Sequence, residues 1–210
     1  MKYGFLTAEN ARIWRIVRRS DISSLIEKGL YSANHVPPTA NYKTMGNEEI
    51  IERRNSRDVP IATGGVLNDY VPFYFTPFSP MMYNIHTGYN VPKVANEDII
   101  ILVASLNSLK NNSSVNFVFT NMHALMAYAD FYSDLQHLNS IDWGILQNCN
   151  FTRVNMERYQ AEALIHKHLP IEQLEAILCY SETVKSEVES YLKQHGKNMT
   201  VKVAKHMYFT

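Results

Sequence analysis

The chain has 210 residues, 46% of them hydrophobic and 19% charged, the make-up of one folded domain with a sizeable core. Its twenty basic and twenty acidic residues cancel, which excludes a protein that coats nucleic acid by bulk charge. There is no run of about eighteen apolar residues and no signal peptide, and Cys149 and Cys179 make neither a metal cluster nor a disulfide framework, so a cytoplasmic protein without a metal is expected.

Residues 12–18, Arg-Ile-Trp-Arg-Ile-Val-Arg, are rich in β-branched and aromatic side chains and read as a strand. Ser20 is placed to cap a helix through Ile22, Leu25 and Ile26 that stops at Gly29. Residues 31–47 have two prolines and little periodicity and read as a long loop, before a short helix over 48–54 and a turn at Thr63-Gly64-Gly65. From Asp69 to Met81 the centre reads as a strand. Pro72, Pro77 and Pro80 demote it from an interior position to an edge or a bounded one.

Residues 99–104 are a continuous apolar run, the pattern of a fully buried strand. A short strand over 117–120 is expected to lead into a helix over 122–135. Residues 159–166 and 176–180 read as strands, the second burying Cys179. The spacing predicts an amphipathic helix over 183–194 with Val184, Val188, Tyr191 and Leu192 inward and Gly196 past its end, then a closing strand over 201–209. Strands and helices mix without regular βαβ alternation, which indicates an α+β fold in a single domain spanning 1–210.

No G-x-G-x-x-G, P-loop or G-x-S-x-G motif is present, so Rossmann, Walker and hydrolase sites have no support. All nine arginines fall in three clusters: Arg12, Arg15, Arg18, Arg19; Arg53, Arg54, Arg57; and Arg153, Arg158. The planar guanidinium fork suits phosphates, and each cluster is either a phosphate contact or a solvated patch. Arg15 stands mid-strand, where it either snorkels to water or meets a phosphate or ribose. Arg54 sits in a polar run that would by default be a solvated helix end, and His123 is either a plain helix-start residue or a ligand contact.

On a strand, Gln160 and Glu162 share a face two residues apart. An amide beside a carboxylate can bind a substrate and stabilise a cation; read locally, Glu162 is equally a strand-edge carboxylate facing water. Tyr70, Phe73, Tyr74, Phe75, Phe78 and Tyr83 crowd one short stretch. Most are core candidates, and any exposed beside arginine would stack single-stranded bases.

Several long motifs occur in a distinctive order: Ile13-Trp14-Arg15-Ile16-Val17, Met45-Gly46-Asn47-Glu48, Val59-Pro60-Ile61-Ala62-Thr63-Gly64-Gly65 and Asp69-Tyr70-Val71-Pro72-Phe73-Tyr74-Phe75. Ser79-Pro80-Met81, Phe117-Val118-Phe119-Thr120, His123-Ala124, Ile141-Asp142-Trp143, Arg158-Tyr159-Gln160-Ala161-Glu162 and Cys179-Tyr180-Ser181-Glu182 complete the set. Over nearly its whole length the chain resembles the DarT family, the toxin half of DarTG toxin–antitoxin systems. The resemblance implies an ADP-ribosyltransferase-like fold with NAD as co-substrate and no metal. It also implies thymine in single-stranded DNA as acceptor, and a macrodomain antitoxin that removes the modification.

By the same resemblance Glu162 is the catalytic glutamate, supporting the oxocarbenium ion that forms as nicotinamide leaves. Arg54 is its catalytic partner and an NAD contact, with Arg53 one position away as the alternative. Arg15, Ile16, Val17, Ser24 and Gln160 are the other implied NAD contacts; His123, Tyr83, Arg153 and Arg158 are the implied DNA contacts. The chain departs from the family in carrying arginine at Arg15 and Arg18, where histidine is common, and in Tyr89, where a basic residue is expected. A transferase acting on RNA or protein, an NAD glycohydrolase and a non-enzymatic single-strand binder are the rival readings.

Overall fold

Strand β1 (Arg12–Arg18) runs through a 3-10 turn into helix α1 (Ile22–Lys28) and short strand β2 (Leu30–Tyr31) in the computed structural model, which describes residues 2–40, 48–112 and 114–210. Helix α2 (Glu48–Arg54), β3 (Tyr70–Tyr74) and α3 (Pro80–Thr87) precede β4 (Ile99–Ser105), α4 (Leu106–Lys110), β5 (Phe117–Thr120) and β6 (Phe131–Tyr132). Then come α5 (Trp143–Gln147), α6 (Met156–Tyr159), β7 (Glu162–His166), β8 (His168–Leu169), β9 (Ala176–Cys179), α7 (Glu182–Gln194) and β10 (Val201–Val203).

Among the described residues, eight strands form one sheet in the order β10-β9-β4-β1-β3-β7-β5-β6, and β2 pairs with β8 as a separate ribbon. Only β10 and β9 are parallel; the other neighbours in the large sheet are antiparallel. The α+β expectation holds. Strand β4 pairs with β1 along its whole length, and Ile99 to Ala104 are all buried, as a continuous apolar run covered on both faces requires. Helix α7 is capped by Ser181, whose Oγ accepts from the Val184 N–H, and it buries Val184, Val188 and Leu192.

Strand β3 is interior, lying between β1 and β7, contrary to the expectation from its prolines. Its ladder to β1 closes at the single pair Trp14↔Tyr74, so the sheet is open beside Pro72. The N–H and C=O of one strand residue face the same edge. The donor that proline lacks therefore falls at this opening, and the Pro72 carbonyl accepts instead from the Arg15 guanidinium at 2.7 Å. The gap in the sheet is the seat of the cavity described below.

Other expectations are corrected. Ser20 lies in the 3-10 turn Arg19–Asp21 and donates to Asp21 Oδ1 (2.9 Å), so α1 starts one residue after Asp21 and ends, as read, at Gly29 with φ +78°. Residues 201–209 form a strand only over Val201–Val203, because the Tyr208 hydroxyl turns inward to the carbonyls of Ile99 and Leu178. The helix expected over 122–135 does not form. Asn121 and Asp130 clasp one another by two hydrogen bonds, and the Ala124 N–H is committed to Glu162, so the segment turns as a loop into β6. The early part of the expected 31–47 loop contains Tyr31 of β2 and a 3-10 turn over Ala33–His35; Met45-Gly46-Asn47 lies outside the described residues. Among the described residues no helix is long and apolar enough to cross a membrane, and no group of three His, Cys, Asp or Glu is arranged to hold a metal.

Candidate active site

Glu162 opens β7 and is 2% exposed, which removes the reading of it as a solvent-facing edge carboxylate. Its backbone N–H donates to Thr120 Oγ1 at 3.1 Å, so the end of β5 fixes where the side chain starts. Each carboxylate oxygen has its own donor: Oε2 accepts from Arg54 Nη1 at 2.8 Å and Oε1 from the Ala124 N–H at 3.1 Å. Burial pushes the Glu162 carboxyl up. The charges of Arg54 and His123 and the two hydrogen bonds outweigh burial and hold it below the ordinary carboxylate range. An ionised carboxylate has further lone pairs, so both oxygens remain able to accept from a ligand hydroxyl.

Arg54 comes from the last turn of α2 and is 8% exposed, not the solvated helix end its polar neighbours suggest. Its Nη2 is buried and has no hydrogen-bond partner among the described residues. Arg53 points to a surface depression with Glu49, Glu52 and Arg57, so of the two adjacent arginines it is Arg54 that meets Glu162. Tyr74 faces Glu162 directly across the β3–β7 ladder, and burial together with that carboxylate pushes its hydroxyl up to about 12. The sequence marks Tyr74 only as one of the crowded aromatics and gives the Ala124 N–H and Thr120 no role; alternation along β3 would have flagged only the tyrosine.

His123 lies in the loop after β5, not on a helix. Its ring accepts at Nδ1 from the Leu125 N–H (3.3 Å), so the neutral ring carries its proton on Nε2. Burial, aided by Arg54 and Arg53 against Glu162, holds it below the ordinary imidazole range. Gln160 is likewise off the strand: it terminates α6 with φ −95° and ψ 28°, and its Nε2 donates to the Met156 carbonyl. The same-face strand geometry assumed for Gln160 and Glu162 is therefore wrong, yet a turn brings both to one cavity.

That cavity of about 150 Å³ is lined by Arg15, Arg54, Tyr74, His123, Gln160 and Glu162, with Ser32, Asn68, Tyr70 and the start of α3 around them. Cavities that enclose whole drug-sized ligands run to roughly 300–1,000 Å³, so this one is smaller than such a ligand. The other expected contacts stand elsewhere. Val17 is in the core, Ile16 packs partly buried against it, and Ser24 on α1 has a buried Oγ with no partner among the described residues. Tyr83, 41% exposed, sets its ring edge-on to Phe151 and Phe209. Arg153 is exposed, and Arg158 pairs with Asp142 at 3.0 Å.

A buried, ionised carboxylate, a cation whose Nη2 has no partner among the described residues and a neutral imidazole can stabilise opposite charges on two reacting groups at once. The family model for "ssDNA thymidine ADP-ribosyltransferase, DarT" matches residues 14–209. A DNA ADP-ribosyl transferase of Escherichia coli O127:H6 (strain E2348/69 / EPEC) is 44% identical, covering 98% of this chain and 96% of the relative. The structure of Thermus sp. 2.9 DarT in complex with ADP-ribosylated ssDNA superposes with a TM-score of 0.88 at 32% identity, covering 100% of this chain and 99% of that one. The same Thermus protein in complex with NAD+ gives a TM-score of 0.83, again at 32% identity, over 96% and 98% of the two chains.

Proposed function

The chain belongs to the DarT family of single-stranded-DNA thymidine ADP-ribosyltransferases, and on that premise we propose how its cavity moves ADP-ribose from NAD to a thymine base. The carrying observation is the buried Arg54–Glu162 pair, in which each carboxylate oxygen is held and Arg54 Nη2 has no partner among the described residues. As the bond between ribose C1′ and nicotinamide breaks, positive charge gathers on the sugar, and the ionised Glu162 stabilises it while accepting a ribose hydroxyl. Nicotinamide leaves neutral. A bond then forms from the thymine ring nitrogen to C1′, and the ring proton is released to water.

Arg54 Nη2 is the donor for the negative charge that develops on the base, a role that needs no deprotonation of the guanidinium. His123, with its proton on Nε2, serves as a donor to a base carbonyl and not as the proton acceptor. Arg15 and Gln160 orient the NAD ribose and diphosphate at the opening beside Pro72. Tyr83, Arg153 and Arg158 lie outside the cavity, where a strand leading away from it would pass. The family's toxin–antitoxin organisation supports a macrodomain antitoxin as partner, and the cytoplasm is where NAD and replicating single strands meet.

Labelled NAD incubated with thymine-bearing and thymine-free oligonucleotides tests the reading. Label is expected on single-stranded DNA only where thymine is present. Label on RNA or protein, or as free ADP-ribose alone, would replace this function with one of the rivals.

A further inference from the structure

Arg57 lies three residues beyond Arg54 and outside the cavity, yet its side chain is spent on the loop that holds the catalytic carboxylate. Its Nη2 donates to the Met126 carbonyl at 3.1 Å and its Nε to the Ala124 carbonyl at 3.5 Å. The guanidinium also sits over the Phe131 ring, 5.9 Å from its centroid. Its main chain is anchored too, since the Leu67 N–H donates to the Arg57 carbonyl at 3.0 Å. A guanidinium so occupied is not a free phosphate ligand on a basic surface.

The loop it grips is the one whose Ala124 N–H holds Glu162 Oε1. The same loop carries His123, whose N–H is tied to the Glu157 carbonyl at 2.8 Å and whose carbonyl accepts from the Met126 N–H at 2.9 Å. Thus one short stretch of chain reaches Glu162 from two sides: Arg54 directly at Oε2, and Arg57 through the loop at Oε1. We propose that Arg57 is a positioning residue for Glu162, clamping residues 124–126 so that the carboxylate plane is fixed between two donors. This rests on the transfer reaction above only for its effect on rate; the clamp itself is a property of the folded chain.

The test compares wild type, Arg57→Ala and Arg57→Lys by amide hydrogen exchange at Ala124, by the titration midpoint of the Glu162 carboxyl and by steady-state transfer to DNA. The charged and titratable groups facing Glu162 are Arg54 from α2, His123 from the loop and Tyr74 from β3. None of these is altered in either variant. Lysine keeps the charge and the stem but replaces the planar fork, whose Nε and Nη2 reach the two carbonyls separately, by a single nitrogen. In both variants we expect Ala124 exchange to quicken at least tenfold and the Glu162 midpoint to rise. The maximal rate should fall about 10–100-fold, as for a displaced catalytic group, with KM for NAD within about twofold.

Unchanged Ala124 protection, full restoration by lysine, or a raised KM with an intact maximal rate would each overturn the clamp. If the alanine variant fails to fold, the lysine variant decides alone. If wild type does not modify DNA, the functional reading fails, while exchange and titration still judge Arg57.

Discussion

Arg54 and Glu162, 108 positions apart in sequence, meet through Nη1 and Oε2 at 2.8 Å in a site where neither side chain is more than a tenth exposed. Removing one partner of a buried pair leaves an uncompensated charge and costs roughly 3–5 kcal/mol. Glu162→Ala should therefore be both inactive and measurably less stable to urea. Glu162→Gln keeps the shape, should lose less stability, and should still fall 10²–10³-fold or more in transfer rate. A glutamine variant with more than about a tenth of wild-type rate would remove Glu162 from the mechanism.

Arg54→Lys separates binding from chemistry. Lysine can hold Glu162 as a point charge but has no second nitrogen in the plane where Nη2 now stands. Saturating NAD should not rescue the maximal rate, while slow nicotinamide release without DNA persists because Glu162 remains. Recovery of the full rate at high NAD would reduce Arg54 to a binding residue.

Acid should weaken the fold in two windows. His123 titrates below its unfolded range, so its neutral form favours folding; that stability is complete above the ordinary imidazole range and declines as pH falls beneath it. Glu162 also titrates below its unfolded range. Its stabilisation is complete above the ordinary carboxylate range and is lost as pH falls through the folded value. Urea denaturation across pH should lose the first window in His123→Gln and the second in Glu162→Gln. A wild type that gains stability on acidification through both windows would contradict these assignments.

Affinity for DNA should depend on salt as a small patch does. If three to five phosphates meet cations such as Arg153 and Arg158, log affinity should fall against log salt with a slope of roughly −2 to −4, at about 0.7 per single-strand contact. Zero slope, or a preference for duplex in which the thymine ring nitrogen is paired, would count against DNA as the acceptor.

Gly65 offers a test away from the chemistry. Its φ is +76°, and a Cβ there would stand 2.5 Å from Asp69 Oδ2, the oxygen that accepts from the Val66 N–H. Gly65→Ala should cost about 1–2 kcal/mol for the left-handed backbone alone and more for the displaced carboxylate, read from the urea midpoint. An unchanged midpoint would mean that the turn relaxes freely.

Local periodicity determined a good part of the architecture. The β-branched run at 12–18, the apolar run at 99–104 and the helical spacing of Val184, Val188 and Leu192 each became the expected element. Such patterns are read against one uniform environment, a buried face, and the fold supplies it. Of the residues the family motifs put forward, Glu162, Arg54, Arg15, His123 and Gln160 line one cavity, while Ile16, Val17, Ser24, Tyr83, Arg153 and Arg158 stand outside it.

What the tertiary structure alone decided is the use to which backbone groups are put. Residues 122–135 have the composition of a helix, but the Ala124 N–H is taken by a carboxylate 38 positions later, and the Asn121–Asp130 clasp closes the loop instead. Pro72 reads as an edge residue, yet it sits mid-sheet because the arginine of a neighbouring strand occupies the place of a ladder bond. The choice between Arg53 and Arg54 was also beyond local reading, since one step along a helix turns a side chain by about 100° and only the packing of α2 says which faces inward. These are long-range exchanges of hydrogen-bond partners, and periodicity carries no record of a partner far along the chain.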